Sequence, residues 1–391
     1  MEKPLRIAIL ITDNREHDKA YTLSRPYFAA GAASFFEGLA QLPAVEIHIV
    51  SCTQKPMPDS PHKLAGNLWF HSLYVPKIGW LRTFYQGCIR AVRRKLKELQ
   101  PDIVHGWGNE RDNGISAVFS GFPNVVTIQG NMAELARMAG APIGSYEWLT
   151  ARLENLTLRR TDGVLCNSNY TRTLVQPRTR RTWLVAHALR QPFLEALPPN
   201  EARPCVLLNA GVISPRKRQL EMLDMAEALH RRGLKFEFQF IGFTNPTDYC
   251  RTFLNRIQPM TAAGYARFLG KLPEGELVNG YDRVAGVVHF PTEEAFGNVV
   301  GEALARNLKF FGARLGGIVD IAHGVPGAEL FAKDDWAGLT DAIARWIEQG
   351  HPRPTEAATL MRQRYSPEVI ARQHLEIYRE VLAGSRLKSP H

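Results

Sequence analysis

The sequence predicts an α/β protein of two doubly wound domains, each a parallel sheet wrapped by helices. Three observations carry that prediction. Strand-like apolar runs alternate with helix-like amphipathic stretches along the whole chain, the pattern that builds parallel sheets from strand–helix–strand units. At 391 residues the chain is long for one domain and comfortable for two. A proline-rich polar stretch, Leu197-Pro-Pro-Asn-Glu-Ala-Arg-Pro204, lies near the middle, just ahead of a new strand pattern, and reads as a linker.

In the first half, strands are expected at 5–12, 45–52, 102–107, 124–129, 163–167 and 182–187. In the second half they are expected at 204–211, 235–242, 266–270, 284–291 and 308–313. Phe236, Phe238 and Phe240 alternate with polar residues, as a strand with one face against a core requires. After a break, 366–383 reads as a long amphipathic helix carrying Val369, Leu375, Ile377 and Val381. The expected division is therefore 1–195, 204–365 and a terminal helical segment, 366–391.

Composition narrows the function classes. The chain is 45% hydrophobic and 22% charged, an ordinary globular profile, and no apolar run approaches the ~18 residues of a membrane span. The N-terminus reads as a first strand rather than a secretory leader. Five cysteines, scattered and never in a Cys-x-x-Cys pair, argue against a disulfide framework or a zinc site and fit a reducing cytosol. The net charge of +10 is uneven: residues 1–195 hold 24 Lys+Arg against 16 Asp+Glu, which points to an anionic partner for that half.

The most informative segment is Pro291-Thr-Glu-Glu-Ala-Phe-Gly-Asn-Val-Val-Gly-Glu-Ala-Leu-Ala305. It follows an apolar strand pattern and turns into a helix, and such a helix start presents free backbone N–H groups to anions. Glu294 and Glu302 bracket that start with seven residues between them. Carboxylates accept hydrogen bonds from vicinal diols but repel phosphate, so the combination points to a ligand with both hydroxyls and phosphates. A second segment, Val206-Leu-Leu-Asn-Ala-Gly-Val-Ile-Ser-Pro-Arg-Lys-Arg218, runs from a strand through a glycine turn into a basic cluster suited to a diphosphate.

Together these segments resemble retaining GT-B glycosyltransferases of the family 4 type, the group 1 glycosyl transferases. The resemblance runs from the first strand to the last helix and is most specific at 206–218 and 290–320. It implies two Rossmann-like domains facing a cleft, with the terminal helix crossing back to the N-terminal domain. It further implies an N-terminal acceptor domain and a C-terminal domain for a nucleotide-sugar donor, most readily a UDP- or GDP-sugar. Gly211 and Lys217 match the family's phosphate clamp; Val212 stands where the family carries Arg, so Arg216 or Arg218 is expected to complete it. Glu294 is assigned to the transferred sugar, Glu302 to the ribose, and the amides of Phe296, Gly297, Asn298 and Val299 to phosphate. Phe268-Leu269-Gly270-Lys271 resembles the segment that meets the nucleobase, Gly316-Gly-Ile-Val-Asp320 a family glycine loop, and Gly31 a remnant of the N-terminal one. The implied reaction is front-face transfer with retention, catalysed by Lys217 and Glu294 with His105 on the acceptor side. No Asp-x-Asp motif is present, so no metal or other cofactor is expected.

The acceptor side departs more from the family. Gln129 stands where a histidine is usual, and His187-Ala-Leu-Arg190 replaces Asn-Gly-Val-Asp. The acceptor is expected to be a glycan, a lipid-linked molecule or a small molecule, in bacterial cell-surface polysaccharide or glycolipid synthesis. Residues 79–98 read as a basic amphipathic helix with Leu81, Phe84, Tyr85, Cys88, Val92 and Leu96 on one stripe. Such a helix either packs its stripe on the sheet or lies on an anionic membrane, so the protein is placed in the cytoplasm or on the membrane's inner face. Two other readings stand beside transfer: a nucleotide-sugar epimerase of the same fold, and a basic nucleic-acid-binding protein. The second is disfavoured because aromatic–basic interleaving is confined to one helix.

Overall fold

A computed structural model describes residues 3–57, 62–195 and 203–386. In the first half the chain lays down β1 (Leu5–Leu10), β2 (Val45–Thr53), β3 (His62–Ala65), β4 (Leu68–Tyr74), β5 (Ile103–Trp107), β6 (Asn124–Ile128), β7 (Val164–Cys166) and β8 (Thr182–Leu184). They form one sheet in the order β3-β4-β2-β1-β5-β6-β7-β8, parallel except where β3 runs against β4. β1, β2 and β5 are buried nearly end to end because helices cover both faces; Ile7, Ile9, Ile47, Ile49 and Ile103 are wholly buried.

The second half builds β9 (Val206–Ala210), β10 (Glu237–Ile241), β11 (Ala266–Phe268), β12 (Gly286–His289), β13 (Lys309–Ala313) and β14 (Ala328–Phe331). This sheet is all parallel in the order β11-β10-β9-β12-β13-β14. That is the 3-2-1-4-5-6 winding of a dinucleotide-type domain, whose strand order reverses between β9 and β12. Phe238 and Phe240 point into the core against Phe253, as their alternation predicted.

Each expected strand is present; β2 runs one residue longer than expected and the others are shorter by one to four residues in all. Three were missed. β3 and β4 are joined at Gly66-Asn67, and the Asn67 amide donates to the carbonyls of Leu39 and Leu42, a long-range tie that no local pattern shows. β14 is a half-buried edge strand with Glu329 in its middle.

The chain forms two units. One runs to Ala188 and includes the chain from Pro367 onward; the other is Leu189–Ser366. The proline-rich linker lies mostly outside the described residues, and the division falls ahead of it. The last helix, Pro367–Arg386, packs in the first unit on helix Ala30–Ala40. The contact is backbone-close: a Cβ on Gly38 would sit 2.0 Å from the carbonyl oxygen of Pro367. Ile370, Ala371, His374, Tyr378 and Val381 are the buried face of that helix.

Candidate functional site

The two segments singled out in the sequence leave the sheet of the second unit at adjacent points. The glycine turn and basic cluster follow β9; the two-glutamate segment follows β12. β9 and β12 are the strands between which the winding reverses, so both segments emerge where doubly wound sheets bind ligands.

There Lys217 Nζ donates to Glu294 Oε2 at 2.5 Å, and His289 Nε2 donates to the same oxygen at 2.8 Å. Both partners of the Lys217–Glu294 pair are about one-eighth exposed at the side chain. Burial raises the Glu294 pKa, but the Lys217 charge and the His289 hydrogen bond outweigh it and hold the carboxyl well below the usual carboxylate range. Burial, together with the Lys217 charge, lowers the pKa of His289. Its Nδ1 is buried without a partner among the described residues. Sequence reasoning passed over His289, although a histidine closing an otherwise apolar strand was a visible signal.

The backbone completes the arrangement. Gly297, at φ +99°, caps helix Asn298–Ala305 in a conformation that disfavours side chains, and no side chain caps that helix start. The Asn298 and Val299 amides are therefore first-turn donors. Gly316 and Gly317 press on the same loop; a Cβ on Gly316 would lie 1.9 Å from the Glu294 carbonyl oxygen. The Phe296 side chain is 3% exposed and packs edge-on to Tyr365, so that ring belongs to the core. At the ends of β9, β10 and β11, Gly242 donates its N–H to the Gly270 carbonyl and stands against Gly211. Gly211, Leu269 and Gly270 thus share one rim, with Gly242 as the member sequence reasoning missed.

The basic cluster divides its labour. Arg216 pairs with Glu293 at 3.1 Å and stays 42% exposed at its side chain. Arg218 turns away through a left-handed residue (φ +59°), donates to Asp334 and the Lys333 carbonyl, and lies over the Trp336 ring. That geometry removes Arg218 from the expected phosphate clamp and leaves Arg216 beside Lys217. Glu302 is 5% exposed, and its Oε1 accepts from both Nε and Nη2 of Arg190 at 2.8 Å. Arg190, read in the sequence only as a departure, is thus tied to the second glutamate of the motif.

On the first unit the outcome differs. His105 is wholly buried, with Nδ1 on the Tyr378 hydroxyl at 2.7 Å and Nε2 on Thr127 Oγ1 at 2.6 Å. Both nitrogens are committed inside the fold, and burial drives its pKa well down, which corrects the catalytic role expected for it. Gly31 lies in the first turn of helix Ala30–Ala40, facing the His187 ring. The expected helix over 79–98 is an α-helix only over Gln86–Leu99; it buries Cys88, Ile89, Val92 and Leu96 inside the first unit, while Phe84, ahead of it, stays 53% exposed. Two cysteines that looked scattered meet: Cys52, Cys88 and Asp112 place their ligand-type atoms within 4.8 Å of one another. A hydrogen bond with Cys88, and then burial, push the Cys52 thiol well above its ordinary value. Among the described residues no helix is long and apolar enough to cross a membrane.

Comparison with known proteins follows this geometry. Residues 32–182 match the profile described as Glycosyltransferase Family 4, and residues 204–349 that of Glycosyl transferases group 1. No curated protein sequence matches closely enough to count as a relative. Among solved structures, sucrose-phosphate synthase from Thermosynechococcus elongatus aligns at TM-score 0.74 and 15% identity, over 97% of this chain and 100% of that one. Anabaena HepE, solved with UDP-glucose, aligns at TM-score 0.66 and 16% identity, over 96% and 100%. The lipopolysaccharide outer core galactosyltransferase WaaB aligns at TM-score 0.69 and 12% identity, over 96% and 100%. With a glycosyltransferase profile matched in each half and the fold of these structures shared over nearly its whole length, the chain is a glycosyltransferase of GT-B fold.

Proposed function

We propose that the chain is a retaining, metal-independent hexosyltransferase of the family 4 type, using a nucleotide-sugar held on its second unit. The observation that carries this reading is the Lys217–Glu294–His289 cluster beside the uncapped start of helix Asn298–Ala305, at the winding reversal. Lys217, Arg216 and the Asn298 and Val299 amides would stabilise charge developing on the leaving phosphate. Glu294, kept ionised, would accept hydrogen bonds from sugar hydroxyls, and the Glu302–Arg190 pair would face the ribose. The Gly211–Gly242–Gly270 rim leaves the base an approach along backbone. In front-face transfer the anomeric carbon–phosphate bond breaks as the acceptor oxygen bonds on the same face. The hydroxyl proton passes to the departing phosphate oxygen.

HepE's complex with UDP-glucose supports a UDP-sugar as the first donor to try, with a GDP-sugar second. The acceptor would bind the first unit, in cell-surface polysaccharide or glycolipid synthesis in the cytoplasm or at the membrane's inner face. The test is a thermal-shift screen against UDP-, GDP- and ADP-sugars, with and without EDTA. One donor should raise the melting temperature by mass action, equally in EDTA, and fail to do so in Lys217→Ala. No shift with any donor would refute the reading.

A further inference from the structure

The first unit carries a cavity of about 1040 Å³ that neither the donor site nor the profile matches account for. It opens at the C-terminal ends of β1, β2 and β5, through Thr12, Gln54 and Glu110, and is closed on one side by Lys77, Ile78, Trp80, Leu81, Arg82 and Tyr85. Strand C-terminal ends are where such sheets take ligands.

Its open charge is positive. Glu16 lines the cavity but is already engaged by Lys19 at 2.8 Å, the Tyr21 hydroxyl at 2.9 Å and the Gln54 amide at 2.8 Å. Glu110 accepts the backbone N–H groups of Asn109 and Gly130. Lys77 and Arg82, by contrast, are exposed and make no ion pair among the described residues. Arg111 lies 5.1 Å over the Trp80 ring and 3.8 Å from Glu16, with its side chain 23% exposed.

The same lip is apolar. Ile78 and Tyr146, both on the cavity wall, are 75% and 51% exposed. Phe84, which lies in the chain between the wall residues Arg82 and Tyr85 without lining the cavity itself, is 53% exposed. Phe84 and Tyr85 both take positive φ, +50° and +59°, a costly conformation for consecutive aromatic residues. It turns Phe84 outward while Tyr85, 3% exposed, enters the wall. Exposed hydrocarbon and unpaired cations on one lip match a ligand that joins hydrocarbon to an anionic group.

We propose that this cavity takes a sugar linked through phosphate to a lipid chain, with the phosphate at Lys77, Arg82 and Arg111 and the chain along Ile78 and Phe84. The inference rests on the transferase reading, and names the acceptor class for it.

The test measures binding to the full chain by titration calorimetry. The probes are a glucosyl diphosphate carrying an undecyl chain, neutral undecyl glucoside, and glucose phosphate without a chain. The first should bind at least about tenfold tighter than either control. Lys77→Ala with Arg82→Ala should remove that advantage over the neutral probe. Ile78→Ser with Phe84→Asn should remove it over the chainless one, since asparagine accepts the left-handed backbone. All four positions are exposed, and a melting curve for each variant verifies folding. Equal binding of the three probes, or indifference to both double variants, would overturn the inference. So would equal binding to phosphatidylglycerol vesicles with and without the probe, which marks a general membrane surface. The nucleotide-sugar thermal shift separates the readings: if it persists while the probe fails, the acceptor class falls and transfer stands. If it is absent while the probe binds, transfer falls and a lipid-phosphate site remains.

Discussion

The two units share a winding and use their strand ends in opposite ways. In the second, β9 and β12 end in glycines and an ion-paired cluster, Lys217, Glu294 and His289, backed by a helix start with no side-chain cap. In the first, β5 carries packed rings: Trp107 stacks on Phe35 at 4.8 Å, and His105 is locked between Thr127 of β6 and Tyr378. Charge held near a surface can be lent to a ligand, whereas a ring whose polar atoms are all committed serves the fold. A parallel sheet of this kind therefore does not by itself say which of its histidines does chemistry.

The sharpest way to break that contrast is at Lys217. Lys217→Ala should lower kcat by about 10²–10³-fold, the scale of one transition-state charge contact, while the first unit's hydrogen exchange stays unchanged. A wild-type rate would remove the second unit's cluster from the chemistry. Next comes Gly38, where Gly38→Ala forces a Cβ onto the Pro367 carbonyl and should cost about 1–3 kcal/mol by chemical denaturation. Donor affinity should not change, and a neutral effect would mean the terminal helix is loosely held. Tyr378→Phe should cost about 1–2 kcal/mol, because it leaves His105 Nδ1 buried without its partner, again with donor affinity intact. A loss of turnover out of proportion to stability would return His105 to the catalytic set.

The smallest effect is expected from pH. Burial lowers the pKa of His48, His71, His105 and His374 in the first unit, to about 4 for His71 and His374, and of His289 in the second. An unfolded histidine titrates near about 6.5, so the unfolded chain binds more protons below that pH. Stability from these groups is complete above about pH 6.5 and falls as pH drops toward 4. The Glu294 carboxyl, held low, keeps its contribution until pH falls below about 4.3. Hydrogen-exchange protection factors, which allow for the intrinsic slowing of exchange in acid, should thus fall between pH 7 and 5 in the first unit before the second, and equal loosening of both units would erase the contrast.

Much of this was legible in the chain. Apolar runs fixed the strands because a sheet covered on both faces needs little else. That Gly211, Lys217, Glu294 and Gly297 follow strands at one end of one sheet was readable because strand-to-helix turns constrain residue type locally. His105 misled because its partners are 22 and 273 residues away, distances over which no pattern carries. Arg218 misled because one left-handed residue reversed its direction, and the stripe of 79–98 left two readings open because a helix looks the same against a sheet or a bilayer.

The position of helix Pro367–Arg386 has a consequence for how the molecule is made. The second unit, Leu189–Ser366, is one continuous stretch and leaves the ribosome whole. The first unit begins earlier and finishes later, since Tyr378 must arrive before His105 is satisfied. During synthesis the earlier-born sheet waits with part of one face uncovered while its neighbour folds ahead of it. The helix that completes the first unit to be started is thus made after the whole of the second.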